Sequence, residues 1–239
     1  MRDRSKGNNR QRAGVSNGMD IGGLVGNLLW NGMLALIPVA LAYTALWLSR
    51  LGRWRALRNA LIAALAAAWL AFLPNTCYLL TEWRHFLYAM DARDIFVRSR
   101  SDPLLLAQLM AWSVFYFLYS GFGMLACALA IRPMEHLAAK RGAAMWFWAL
   151  PFFVTLSLGV YLGLVLRLNT WDIVARPTAV WESIVQIGGH PKLAAFIVAF
   201  GVFLWVAYEA IDVWVDGLAD RWSRVTGRRI HLGPEMGNT

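Results

Sequence analysis

Glu82 and His85 stand three residues apart, so on a helix their side chains share one face. A carboxylate beside an imidazole favours the charged ring and fixes its orientation, as a general base or a metal ligand requires. An E-x-x-H pair is weakly specific by itself. A metal would need further ligands, for which Asp172 and His190 are the candidates, and no metal is assigned. The plain alternative is an interfacial segment in which Glu82 pairs with Arg84 or Arg167. Three more polar strings stand out: Trp30-Asn31, Pro74-Asn75-Thr76-Cys77-Tyr78, and Arg167-Leu168-Asn169-Thr170-Trp171-Asp172 with Arg176-Pro177 after it. Glu82, His85 and Asp172 are then the candidates for catalysis, and Asn31, Asn75, Arg167 and Asn169 for holding a polar ligand. The cofactor is unknown: Walker and dinucleotide glycine motifs are absent from the sequence. A nucleophile-class enzyme lacks support, with no G-x-S-x-G and no evident Cys/His pair.

The elements that must position these groups are set by composition. Of 239 residues, 59% are hydrophobic and 15% charged, and mean hydropathy is +0.47. Soluble domains run at about 45–50% apolar and about 25% charged residues. So little polar surface cannot coat a water-soluble globule, which excludes disorder and an ordinary soluble α/β fold. Period-two alternation is absent, so the spans read as helices rather than strands of a membrane barrel. The expected fold is an all-α integral membrane protein, a bundle of about five transmembrane helices with short interfacial helices. Residues 1–23 read as a disordered basic tail, 24–215 as one transmembrane domain, and 216–239 as a polar basic tail.

Spanning about 30 Å of hydrocarbon takes roughly 20 apolar residues. Five segments qualify or nearly so: Leu24–Leu48, Leu57–Leu73, Leu104–Ile131, Ala143–Leu166 and Leu193–Val215. The second is short and stops at Pro74, so it needs tight packing or an extension beyond the proline. Proline disfavours helix at Leu73 and frees backbone groups that Asn75 could cap, making this end an expected cavity wall. Pro177, at a first-turn position, predicts a short helix with Val180, Trp181, Ile184 and Val185 along its apolar side. Gly159 and Gly163 give the small-residue spacing of close helix packing. Cys77 and Cys127 are expected toward opposite membrane faces, as free thiols too far apart to bridge.

Topology then gathers the polar strings. The start of the first span, the ends of the second and fourth, and the starts of the third and fifth share one membrane face. Glu209, Asp212, Asp216 and Asp220 lie on one helical face near the other side. They read as a proton or cation path or, more plainly, as an interfacial stripe pairing with Arg50–Arg58. The net charge of +9 reads as arginines facing anionic headgroups, not as nucleic-acid binding. Arg50, Arg53, Arg55 and Arg58 fall within nine residues without an acid, which favours an outside N-terminus and a cytoplasmic C-terminus. A cleaved signal peptide at Ala40-Leu41-Ala42 is disfavoured, because the apolar run continues to Leu48.

The WN opening of the first span, FLPNxxYLLT-E-xx-H over residues 72–85 and RLNTWDIVARP over 167–177 carry a family resemblance. Together they resemble the bacterial membrane-protein family called domain of unknown function 1361. The resemblance spans about residues 28–215, with Thr76-Cys77 where the family often has Ala-Pro and Glu82 where it often has Asp. It implies a protein of the bacterial inner, cytoplasmic membrane and assigns no chemistry. The leading reading is a multi-pass membrane protein with a polar ligand-binding or catalytic site at one face. The alternatives are a small transporter or channel component, or a structural partner in a membrane complex. Protein partners cannot be read from the sequence.

Overall fold

The computed structural model describes residues 21–52, 54–91, 94–140, 142, 148–165 and 175–227. The chain divides into two units, Met1–Trp30 and Asn31–Thr239. Residues 21–30 of the first unit are helical. Every regular element among the described residues is a helix: α1 (Ile21–Ser49), α2 (Arg55–Phe72), α3 (Pro74–Thr81), α4 (Trp83–Asp91) and α5 (Ile95–Arg98) come first. They are followed by α6 (Pro103–Ala139), α7 (Ala149–Val165), α8 (Pro177–Gly188) and α9 (Pro191–Thr226). Four stretches, Gly26–Ser49, Arg55–Tyr88, Pro103–Ala139 and Pro191–Thr226, are long and apolar enough to cross a membrane. The fifth expected span appears as α7, apolar and helical over its 17 described residues.

Local chemistry explains where the helices begin. Asp102 is extended, and its carboxylate accepts from Leu104 N at 3.0 Å and Leu105 N at 3.2 Å, ahead of Pro103 at the first position of α6. Pro177 opens α8 as the sequence predicts, and Pro191 opens α9 in the same way. α9 ends at Gly227, whose φ of 64° is the left-handed turn that glycine adopts without steric cost.

Pro74 departs from expectation. Leu73 stays right-handed helical (φ −55°, ψ −39°) and its N–H donates to Trp69 O at 2.8 Å. The chain therefore continues as helix through the proline, which occupies the tolerated first position of α3. Thr76, rather than Asn75, takes up the Leu73 carbonyl, through its hydroxyl at 2.8 Å and its N–H at 3.1 Å. The expected cavity wall is instead tightly packed. A Cβ on Gly123 of α6 would sit 2.6 Å from the Thr76 carbonyl oxygen and 2.7 Å from Leu79 Cβ. One on Gly159 of α7 would come 2.7 Å from the Pro74 ring, and Gly163 faces the Tyr78 hydroxyl. The Gly159/Gly163 spacing thus serves packing, seating α3 between α6 and α7.

The main core lies around that wedge, with Trp69, Leu73 and Cys77 against Met124, Cys127 and Ile131 of α6. Phe153, Leu156 and Val160 of α7 and Leu204 and Tyr208 of α9 close it. Two buried polar groups are paired across helices: Trp69 Nε1 donates to Ala130 O at 2.9 Å, and Ser157 Oγ to Ile197 O at 2.8 Å. The two cysteines correct the expectation of separate faces. Both are free and buried, with Cys77 Sγ 3.9 Å from Cys127 Sγ. The expectation took Cys127 as lying near the end of its span, but α6 runs on to Ala139 and places it opposite α3.

Candidate functional site

Glu82 sits at the junction of α3 and α4 and is fixed from both sides. Before it, Thr81 Oγ1 donates to Tyr78 O at 2.7 Å. After it, Trp83 Nε1 donates to Ser120 Oγ of α6 at 3.0 Å, and that hydroxyl donates to Leu79 O at 3.3 Å. Trp83 and Phe86, one turn apart on α4, meet buried Tyr116 with ring centroids 5.9 and 5.3 Å away. These aromatic contacts lay α4 on α6 and so set the height of Glu82. Against it comes Asn31 of α1, whose Nδ2 donates to Glu82 Oε1 at 2.9 Å across 51 residues of sequence. Both side chains are half-buried. A carboxylate held by an amide donor has a defined orientation, which a general base or a ligand anchor needs.

Of the seven residues singled out from sequence, Asn31 and Glu82 are in direct contact. Asn75 lies half-buried in the first turn of α3, about two helical turns before Glu82. His85 follows Glu82 by three residues in α4, and its side chain lies outside the described residues. Arg167, Asn169 and Asp172 also lie outside them. His190, considered as a metal partner, precedes α9 with Nδ1 2.8 Å from Gln186 O. It lines a cavity of about 240 Å³ with Tyr161, Ser183, Gln186, Ile187 and Leu193. Among the described residues no group of three or more His, Cys, Asp or Glu is placed to hold a metal ion.

A second polar centre joins the acidic stripe of α9 to Arg132, a partner that the sequence reading does not single out. Arg132 of α6 pairs with Asp216 and lies 2.5 Å, through Nε, from Asp212 Oδ1. Tyr208 donates to Glu135 Oε2 at 2.7 Å, and Trp205 Nε1 to Glu209 Oε1 at 3.0 Å. Asp212 and Asp216 of the α9 stripe are therefore answered by Arg132, where the plain reading expected Arg50–Arg58. The available signal was Arg132 itself, the first charge after an uncharged run and one turn before Glu135 and His136.

A family model described as Protein of unknown function (DUF1361) matches residues 30–207. That is well over half of the chain, and it includes all seven candidate residues. No curated protein and no solved structure matches the chain.

Proposed function

We propose that this chain, which belongs to the DUF1361 family, is a multi-pass membrane protein with a polar ligand-binding or catalytic site at one membrane face. The observation that carries the reading is the Asn31–Glu82 hydrogen bond, which unites two strings separated by 51 residues. Burying polar groups near lipid is costly, so groups gathered there either satisfy one another or serve a ligand. In this reading Glu82 is the anchoring carboxylate or base, with His85 and Asp172 as its catalytic partners. Asn31, Asn75, Arg167 and Asn169 then hold the polar part of the ligand.

The rival reading of the same bond is a structural clamp joining α1 to the α3–α4 junction. Glu82→Gln separates the two, because the amide keeps an oxygen to accept from Asn31 while losing the charge. A deletion strain complemented with wild type, Glu82→Gln or Asp172→Asn would be compared by untargeted metabolite and lipid profiling. Variants that melt like wild type in detergent but leave the deletion profile uncorrected support a site. Variants that restore the profile fully defeat it.

The same proposal places the protein in the bacterial cytoplasmic membrane, N-terminus outside and C-terminus inside. Arg50, Arg53, Arg55 and Arg58 would then face anionic headgroups on the cytoplasmic side. Arg50 and Arg55 are exposed, and Arg58 Nη1 donates to Leu51 O at 2.8 Å. Gly52 lies exposed among them, and both native thiols are buried. Gly52→Cys should therefore escape an impermeant thiol reagent in intact cells, and its labelling there would reverse the orientation.

A further inference from the structure

We propose that Cys77 and Cys127 form an oxidisable dithiol inside the bundle, closing to an intramolecular disulfide when a lipid-soluble acceptor of the quinone class takes two electrons. The inference is independent of the site around Glu82. The sulfurs lie 3.9 Å apart, on helices whose cysteines are 50 residues apart in sequence. A disulfide bond is about 2.05 Å long, so each sulfur must move by about 1 Å, within the range of side-chain rotation and small helix shifts.

The two helices come into close contact beside the cysteines. Gly123 stands one turn before Cys127 on α6, and Thr76 adjoins Cys77 on α3. At Gly123 the two helices approach so closely that a Cβ would lie 2.6 Å from the Thr76 carbonyl oxygen. Bridging needs Cα atoms within about 7 Å, which so close an approach one turn away favours. The chain has no third cysteine to compete. Thr76 Oγ1, 3.6 Å from Cys77 Sγ, is a neighbouring hydroxyl able to exchange a hydrogen bond with that thiol.

Burial selects the oxidant. Cys77 and Cys127 are 0% and 1% exposed, on helices apolar enough to cross a membrane. In a bilayer the bundle is bathed by apolar quinones and not by water-borne thiols or disulfides, so a local parting of α3 and α6 brings the pair within a quinone's reach. In the balanced step two S–H bonds break, one S–S bond forms, and the two electrons and two protons reduce the quinone to its quinol. The product ties α3 covalently to α6, five residues before Glu82.

The test uses full-length protein in phospholipid nanodiscs with decylubiquinone as the oxidant. After acid quenching and unfolding in detergent, free thiols are counted by maleimide–polyethylene glycol mass shift. Untreated protein should take two labels. Treated protein should take none, remain monomeric without reductant, and yield about one quinol per chain, as a two-electron couple requires. Cys77→Ser and Cys127→Ser should each keep one label and form no quinol. Two labels surviving on treated wild type would overturn the proposal. So would label loss through cross-linked dimers, or equal quinol formation by either single variant. The wild-type count decides the matter even if a variant fails to fold.

Discussion

α6 carries two polar centres, and they are held in opposite ways. At Ser120 the helix supports the α3–α4 junction, where Glu82 accepts a 2.9 Å bond from the Asn31 amide. Twelve residues on, about 18 Å along the helix, Arg132 faces Asp212 and Asp216 of α9. The Arg132 side chain is 16% exposed and that of Asp212 28%, so each charge depends on the other for much of its stabilisation. Glu82 and Asn31 are half-buried and joined by one hydrogen bond, whose net worth is modest. The first arrangement leaves room for a functional carboxylate, and the second fastens two long helices. Melting temperature should therefore respond strongly at one centre and weakly at the other.

The largest expected effect is at the fastening. Arg132→Met strands the half-buried Asp212, and breaking such a pair on one side costs about 3 kcal/mol, the low end for buried pairs. Melting in detergent should fall by roughly 6–12 °C, at the usual scaling for a chain of this size. Adding Asp212→Leu should recover much of the loss, since removing both partners avoids the stranded charge. A fall of no more than about 1 °C for Arg132→Met would erase the contrast between the centres.

Between the two lies the packed ground of α3, which Gly123→Ala probes. Its new methyl meets a backbone oxygen that cannot rotate away, and overpacking of this kind costs about 2 kcal/mol. Unchanged melting would show that α3 yields, and that the Glu82 end is not rigidly tied to the core. Ser120→Ala should cost less, about 1 kcal/mol, by removing the acceptor of Trp83 Nε1 and the donor to Leu79 O. Circular dichroism melts on the purified variant would read that decrement. Glu82→Gln should have the smallest effect, within about 0.5 kcal/mol, because the bond from Asn31 persists. A fall as large as that of Arg132→Met would make Glu82 a second fastening.

Much of the architecture is legible along the chain. Without water in the bilayer, backbone groups must be satisfied within each segment, so hydropathy alone predicts helices at about these five places. Pro177 announces α8 because a proline fits a helix's first turn, and Gly159 with Gly163 announces a close neighbour. Leu73 misled because proline's local preference is only a bias. Here Pro74 simply becomes the first residue of the next helix, packed beside Gly159.

What the sequence by itself determined is therefore the all-helical class and the main apolar helices, properties of one segment and its solvent. Which helices touch, and at what register, was decided only by tertiary packing. Cys77 meets Cys127 because α6 continues past the end of its apolar run and presents Gly123 to α3. Arg132 meets the acids of α9, and Asn31 meets Glu82, for the same kind of reason. Side-chain contacts between helices depend on sliding and rotation over a few ångströms, and a hydropathy pattern is nearly indifferent to both.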